Sequence, residues 1–361
     1  MRKRWTAVLS LIALCVMVVL AGCTKSPATP EELFNKALKA STELKSYEFS
    51  SEATLKLEFP DSLMQADPAT GMIAGFLGDI TLSASGAYQE EPLKTEATMD
   101  LKLGGDVGMT IRVPVIMEQD KMWVKVPNIP MLAGIFPQDV VGKYIELDFE
   151  QLAEMDPQAG AFNPDAFNVE TQKQLGMDIM GVLLKHFDEE EYVEIVNVEE
   201  AGLPAGVDAS DVLRISLTQD QFQQVAATLV EDALPELIDV LAKPEYAALL
   251  GETIDAEQAK KDLAESQDEI KAGLEELKEM LIINELSMLM ALDKDGNTPY
   301  SNLRFDFAIQ QDGEQMAFKG SMSSTMTNFN GTPAFELEEP TADNTLTIDQ
   351  LDELINAEMA F

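Results

Sequence analysis

One histidine, His186, and two cysteines, Cys15 and Cys23, stand in 361 residues. That scarcity excludes zinc centres, a disulfide framework and most histidine-based catalysis. Basic residues are also few: 25 Lys and Arg face 64 Asp and Glu, a net charge of −39. A polyanion of this kind repels phosphate backbones, which excludes nucleic acid as a partner. After residue 20 no apolar run is long enough to span a bilayer. The remaining composition is that of a globular protein, with 46% hydrophobic and 25% charged residues. The length supplies a core for one large domain or two ordinary ones.

The first residues bear on the compartment. Arg2, Lys3 and Arg4 are followed by an apolar stretch over residues 5–19 and then by Leu20-Ala21-Gly22-Cys23. Charge, apolar core, small residues and cysteine in that order resemble the lipobox signal of bacterial lipoproteins. A plain transmembrane anchor is the alternative, but an apolar run of about 18 residues barely spans a bilayer. The resemblance implies cleavage between Gly22 and Cys23, with lipid carried on the Cys23 sulfur. Two ester-linked acyl chains would then anchor the chain to the extracytoplasmic face of the cell membrane. Losing three positive charges takes the net charge from −39 to −42. Residues 1–22 are thus expected to be a signal peptide, 23–29 a lipidated tether, and 30–361 a single domain. Thr24 to Ala28 reach about 17 Å when extended, so the folded body is expected close to the membrane.

Thr29-Pro30-Glu31-Glu32 is a capping box with proline at the first helical position. Leu33, Phe34, Ala37, Leu38, Ser41 and Leu44 then share one face of a helix over 30–45. The next segment alternates: Tyr47, Phe49, Ser51, Ala53, Leu55, Leu57 and Phe59 oppose a polar set that includes Glu48, Glu52 and Lys56. Period two over thirteen residues predicts a long strand with one wet face, hence an antiparallel sheet. The pattern recurs with Met99 and Leu101 against Glu96 and Asp100, and with Met109 and Ile111 against Thr110 and Arg112. Shorter strands are expected at 80–89, 121–126, 143–149, 191–198 and 211–217. Others follow at 282–292, 303–310 and 315–328, the last with Met316, Phe318, Met322 and Met326 on one face. Residues 60–79 and 127–142 read as long loops or short helical turns. Helices are expected over 165–187, over 218–243 with Pro235 as a kink or break, over 256–281, and over 347–357. The fold class is therefore α+β, with about eleven strands, four or five helices and a helical block at about 165–281.

Lipobox, short tether, one amphipathic helix and very long alternating strands together resemble lipoproteins of the LolA/LppX-type carrier superfamily. Glu31–Phe59, ending Leu44-Lys45-Ser46-Tyr47-Glu48-Phe49, carries most of the likeness. Pro340 followed by Leu346, Ile348, Leu351 and Leu354 adds a little. The resemblance implies a curved half-barrel whose concave face is covered by helices, holding lipid or acyl chains in the space between. The block at 165–281 departs from that pattern. Phe49, Ala53, Leu55, Met99, Leu101, Met109 and Ile111 are the candidate lining of such a cavity, and a solid core is the alternative for the same residues. Nineteen methionines suit an adaptable apolar surface.

Sharper motifs fail. Asp293-x-Asp295-Gly296-Asn297 has glycine in the fourth position and Arg304 in the twelfth, against the sixth-position glycine and twelfth-position glutamate of a calcium loop. It reads as a hairpin turn. Asp188 to Glu191 reads as a solvated charge run. No G-x-S-x-G is present, and nothing selects one carboxylate pair for glycoside hydrolysis. No catalytic residue, metal or cofactor is assigned. A membrane-anchored binder of a lipid or other hydrophobic ligand is the leading expectation. An envelope interaction or structural lipoprotein is the alternative, with an enzyme behind both.

Overall fold

The computed structural model describes residues 28–60, 62, 68–104, 108–129, 137, 139–155, 168–187, 189–250, 254–311 and 313–359. The expected signal peptide, which ends at Gly22, lies outside the described residues, as do Cys23 and residues 24–27 of the tether. Twelve strands form one curved sheet that does not close into a barrel.

The chain opens with α1 (Pro30–Glu43). Thr29 Oγ1 accepts the N–H of Glu32 while Glu32 returns a carboxylate to the Thr29 N–H, the reciprocal cap expected from the sequence. A meander follows: β1 (Ser46–Glu58), α2 (Pro68–Leu77), β2 (Asp79–Gln89), β3 (Lys94–Leu103), β4 (Met109–Glu118), β5 (Lys121–Lys125) and β6 (Tyr144–Asp148). Then come α3 (Phe149–Met155), α4 (Val169–His186), α5 (Glu189–Tyr192), β7 (Val193–Val196) and β8 (Asp211–Ser216). Helices α6 (Gln219–Thr228), α7 (Leu234–Leu241), α8 (Ala247–Leu250) and α9 (Ala256–Met280) lead to β9 (Leu281–Leu292), β10 (Tyr300–Gln311) and β11 (Glu314–Thr327). The chain ends in β12 (Thr345–Thr347) and α10 (Ile348–Met359).

The strand order is β12-β6-β5-β4-β3-β2-β1-β11-β10-β9-β8-β7. The first and last long strands, β1 and β11, therefore pair at the centre, and the edges are β12 and β7. All pairs are antiparallel except β12 with β6. The expected sheet of about eleven strands is present, and the short β12 adds a parallel pair to its otherwise antiparallel order. Its three residues are too few to carry a periodic signal. The helical block also contains the short strands β7 and β8, so it interrupts the sheet less than its length suggests.

Pro235 does not break its helix. A π-helical turn at Leu229–Ala233 joins α6 to α7, with the Leu234 N–H donating to the Leu229 carbonyl. Proline has no N–H and its ring crowds the carbonyl four residues earlier. The wider turn absorbs that misfit without a sharp break.

The two faces of the sheet are covered by different devices. On one face, α1 packs Leu33 against Leu213 and Leu292 over β8 and β9. At the opposite end of that face, Leu351 and Leu354 of α10 pack on Val126, Val140 and Leu346. The other face carries the alternating charges, paired across strands as in Arg112–Asp100 at 2.7 Å. The segment after β11 crosses this charged face on its way to β12. Its Ala334 N–H donates to Glu48 and its Leu337 N–H to Glu96 Oε2, at 3.0 and 2.9 Å. Glu96, expected on the wet face, is consequently buried, with Lys94 3.5 Å away. The alternation placed the face correctly but carried no sign of a distant strap. Glu96→Ala should cost about 1–3 kcal/mol, since it strands the Leu337 N–H and removes one of the three carboxylates around Lys94. Glu96→Gln keeps an acceptor oxygen and should cost clearly less; urea melts of the two variants compare them.

Candidate functional site

Two helical faces meet the sheet at the β7–β9 end. The period-3.6 face of α1 presents Phe34, Ala37, Leu38 and Ser41, and α4 presents Met180, Leu183 and Leu184, with Phe187 just past its end. Below them lie Val193, Leu213, Ile215, Met288 and Met290. Between the three layers is a cavity of about 470 Å³, a size ordinary for small-molecule sites. Leu217, Val225, Tyr192 and Thr298 complete the wall. Among the described residues no charged side chain lines it, in a chain where a quarter of residues are charged.

Fixed contacts hold both helices in place. Lys36 Nζ of α1 donates to the Asp293 carbonyl in the β9–β10 turn at 3.3 Å. Gly296 (φ +95°) approaches so closely that a Cβ there would stand 2.8 Å from the Lys36 carbonyl oxygen. Asp293 accepts the N–H groups of Asp295 and Asn297 and an Asn297 amide hydrogen. This segment is therefore the expected turn, with its first carboxylate committed to shaping it. On α4, Lys173 donates to the Leu44 carbonyl at 3.0 Å and to Glu90 at 3.2 Å. Behind α4, Leu175 and Val182 pack with Ala233, Val240 and Tyr246 in a helical core. Asp178 accepts from Lys243 and, at 2.7 Å, from the Tyr246 hydroxyl. Those partners, Lys243 first, hold the Asp178 carboxyl below the usual range. Burial, reinforced by Asp178, pushes the Tyr246 phenol up to about 12.

The seven candidate lining residues all fall on the cavity's side of the sheet but outside the cavity itself. Ala53, Leu101 and Ile111 share one cross-strand row through Leu82. Leu55 and Met109 lie in the next row, Met99 on the other side, and Phe49 beyond it. None is fully buried, and Met99 is 38% exposed. Phe49 stands beside Tyr47, which pairs with Tyr88 at a ring distance of 5.0 Å. Burial raises both phenols, that of Tyr88 to about 12 with help from Glu90, so neither adds a charge to this face.

No family model and no curated protein matches this chain.

Among the described residues no three His, Cys, Asp or Glu side chains stand close enough to hold a metal ion. His186 ends α4, with Nε2 3.1 Å from Glu236 Oε1. No helix among the described residues is long and apolar enough to cross a membrane. Sequence reasoning missed the cavity wall on α4, β8 and β9. The period of α1 and α4 marked them as amphipathic, but it could not say which strands they would meet.

Proposed function

We propose that the chain is an extracytoplasmic lipoprotein, anchored through Cys23, that binds a lipid or other hydrophobic ligand between its sheet and helices α1 and α4. The observation that carries this reading is the 470 Å³ cavity, uncharged in its described lining, in a protein of net charge −39. The space opens to solvent, and its apolar lining leaves the water in it few hydrogen-bond partners, so displacing that water by an apolar group is favourable. A hydrocarbon chain is such a group and needs no charged partner. The Leu20–Cys23 box and the LolA/LppX-type layout of helix, long strands and covering helices support the same reading. The helix that bears the tether is also a wall of the cavity, so the ligand site stands near the expected membrane surface.

Native mass spectrometry of the full chain tests the ligand, and metabolic labelling with a fatty-acid analogue tests the anchor. Co-purified lipid beyond the covalent anchor is expected. Cys23→Ala should remove the covalent label while leaving the bound lipid in place. A wild-type protein without bound lipid, or equal label in both forms, would refute the corresponding half of the proposal.

A further inference from the structure

The opposite, charged face of the sheet carries a recess of about 420 Å³ over β8, β9 and β10. Among the described residues its charged lining is Arg214, Arg304 and Glu285, two cations to one carboxylate. The chain as a whole has 25 basic residues against 64 acidic ones. Three arginines follow residue 22, and two of them stand in this recess. The register separates them from the third. Arg112 on β4 faces Asp100 on β3 and binds it at 2.7 Å. Arg304 on β10 faces Ser287 on one side and Ser321 on the other. The acid two positions along, Asp306, is taken by Asn284 at 3.0 Å and Lys319 at 3.2 Å. Arg304 therefore has no ion pair among the described residues. Arg214 on β8 faces Leu289 and, on β7, an exposed Glu194 that comes no nearer than 3.8 Å. Glu285 accepts the Ser287 hydroxyl at 3.1 Å. Ser216 and Asn302 add donors to the wall, and Tyr300 and Leu289 add an apolar side.

We infer that this recess binds a small organic dianion, one oxyanion group on each arginine. It lies across the sheet from the proposed lipid cavity and does not depend on it. Arg214 and Arg304 are two strands apart and one two-residue step out of line, which sets their backbones about 12 Å apart. Both side chains reach the one recess, so a short molecule can bridge them. The guanidinium fork matches the oxygen pair of a carboxylate or phosphate and stays charged at any physiological pH. The Ser216 and Ser287 hydroxyls and the Asn302 amide can donate to the remaining oxygens. The volume is that of a small-molecule site. At physiological salt, charges more than about 8 Å away are largely screened, so the two arginines outweigh the distant acids. Diffuse attraction cannot produce the same binding, because a body of charge −39 repels a dianion everywhere else.

Isothermal titration calorimetry of the full chain at about 0.15 M salt tests this with glutarate, which carries two carboxylates, and 3-phosphoglycerate, which carries a carboxylate and a phosphate. Acetate and inorganic phosphate serve as probes with a single oxyanion group. At least one two-group probe should bind at one site, about tenfold or more tighter than either single-group probe. Which of the two binds tells whether the second group is a carboxylate or a phosphate. Arg214→Gln and Arg304→Gln should each weaken that binding at least about tenfold, the loss of one charged hydrogen bond. Arg112→Gln, on the same face but outside the recess, should leave it unchanged, and the melting temperatures of the two recess variants should stay near that of the wild type. Three results would each overturn the inference: no binding of either two-group probe, binding that survives both recess variants, or single-group probes that bind as tightly.

Discussion

Leu213→Asp is expected to lower the melting temperature by roughly 10 °C, whereas Leu82→Asp, on the same face of the same sheet, should shift it little. Leu213 is 1% exposed, clamped between Leu33 of α1 and Leu292 of β9. A carboxylate at a position only 1% exposed has no partner and little hydration, which costs several kcal/mol. A loss of about 4 kcal/mol translates to some 10 °C in a large domain. Leu82 is 45% exposed, so an aspartate at that position keeps its hydration and loses only part of an apolar contact, under about 1 kcal/mol. Calorimetry of both variants decides the matter. Equal losses would mean that Leu82 is as closely packed as Leu213.

The second large effect is on ligand binding. Met288→Lys should reduce lipid retention about a hundredfold, some 2.8 kcal/mol, with a nearly unchanged fold. Met288 is 38% exposed yet forms part of the cavity floor beside Ile215 and Met290. In the free protein the lysine stem can run along the apolar surface and keep its ammonium in water. A hydrocarbon in the cavity would have to desolvate that ammonium or be displaced from the floor. Met288→Leu keeps the apolar floor and should retain lipid. Retention measured by native mass spectrometry on wild type and both variants gives the answer; equal retention in all three would place the ligand elsewhere.

Local order determined much of this protein in advance. Thr29 and Glu32 define the start of α1 because the capping box uses only neighbouring atoms. Period two in 47–59 and 93–103 specified β1 and β3 and sorted their residues between faces, since a pleated strand alternates whatever it packs against. The register pairs of the long strands respect that sorting throughout. The uncharged side chains Phe49, Ala53, Leu55, Met99, Leu101, Met109 and Ile111 were therefore recognisable as one surface from the sequence.

What covers that surface was decided only by the tertiary structure. Burial depends on partners distant in the chain. Leu213 is sealed by a helix some 180 positions earlier, and Glu96 is buried by a strap some 240 positions later. Met322 and Leu82, with the same local pattern as buried strand residues, are exposed, and none of the packed clusters among the described residues includes them. Alternation records which way a side chain points. Whether it meets a helix, a hydrocarbon or water depends on pairings that close loops of hundreds of residues, and no local pattern encodes those.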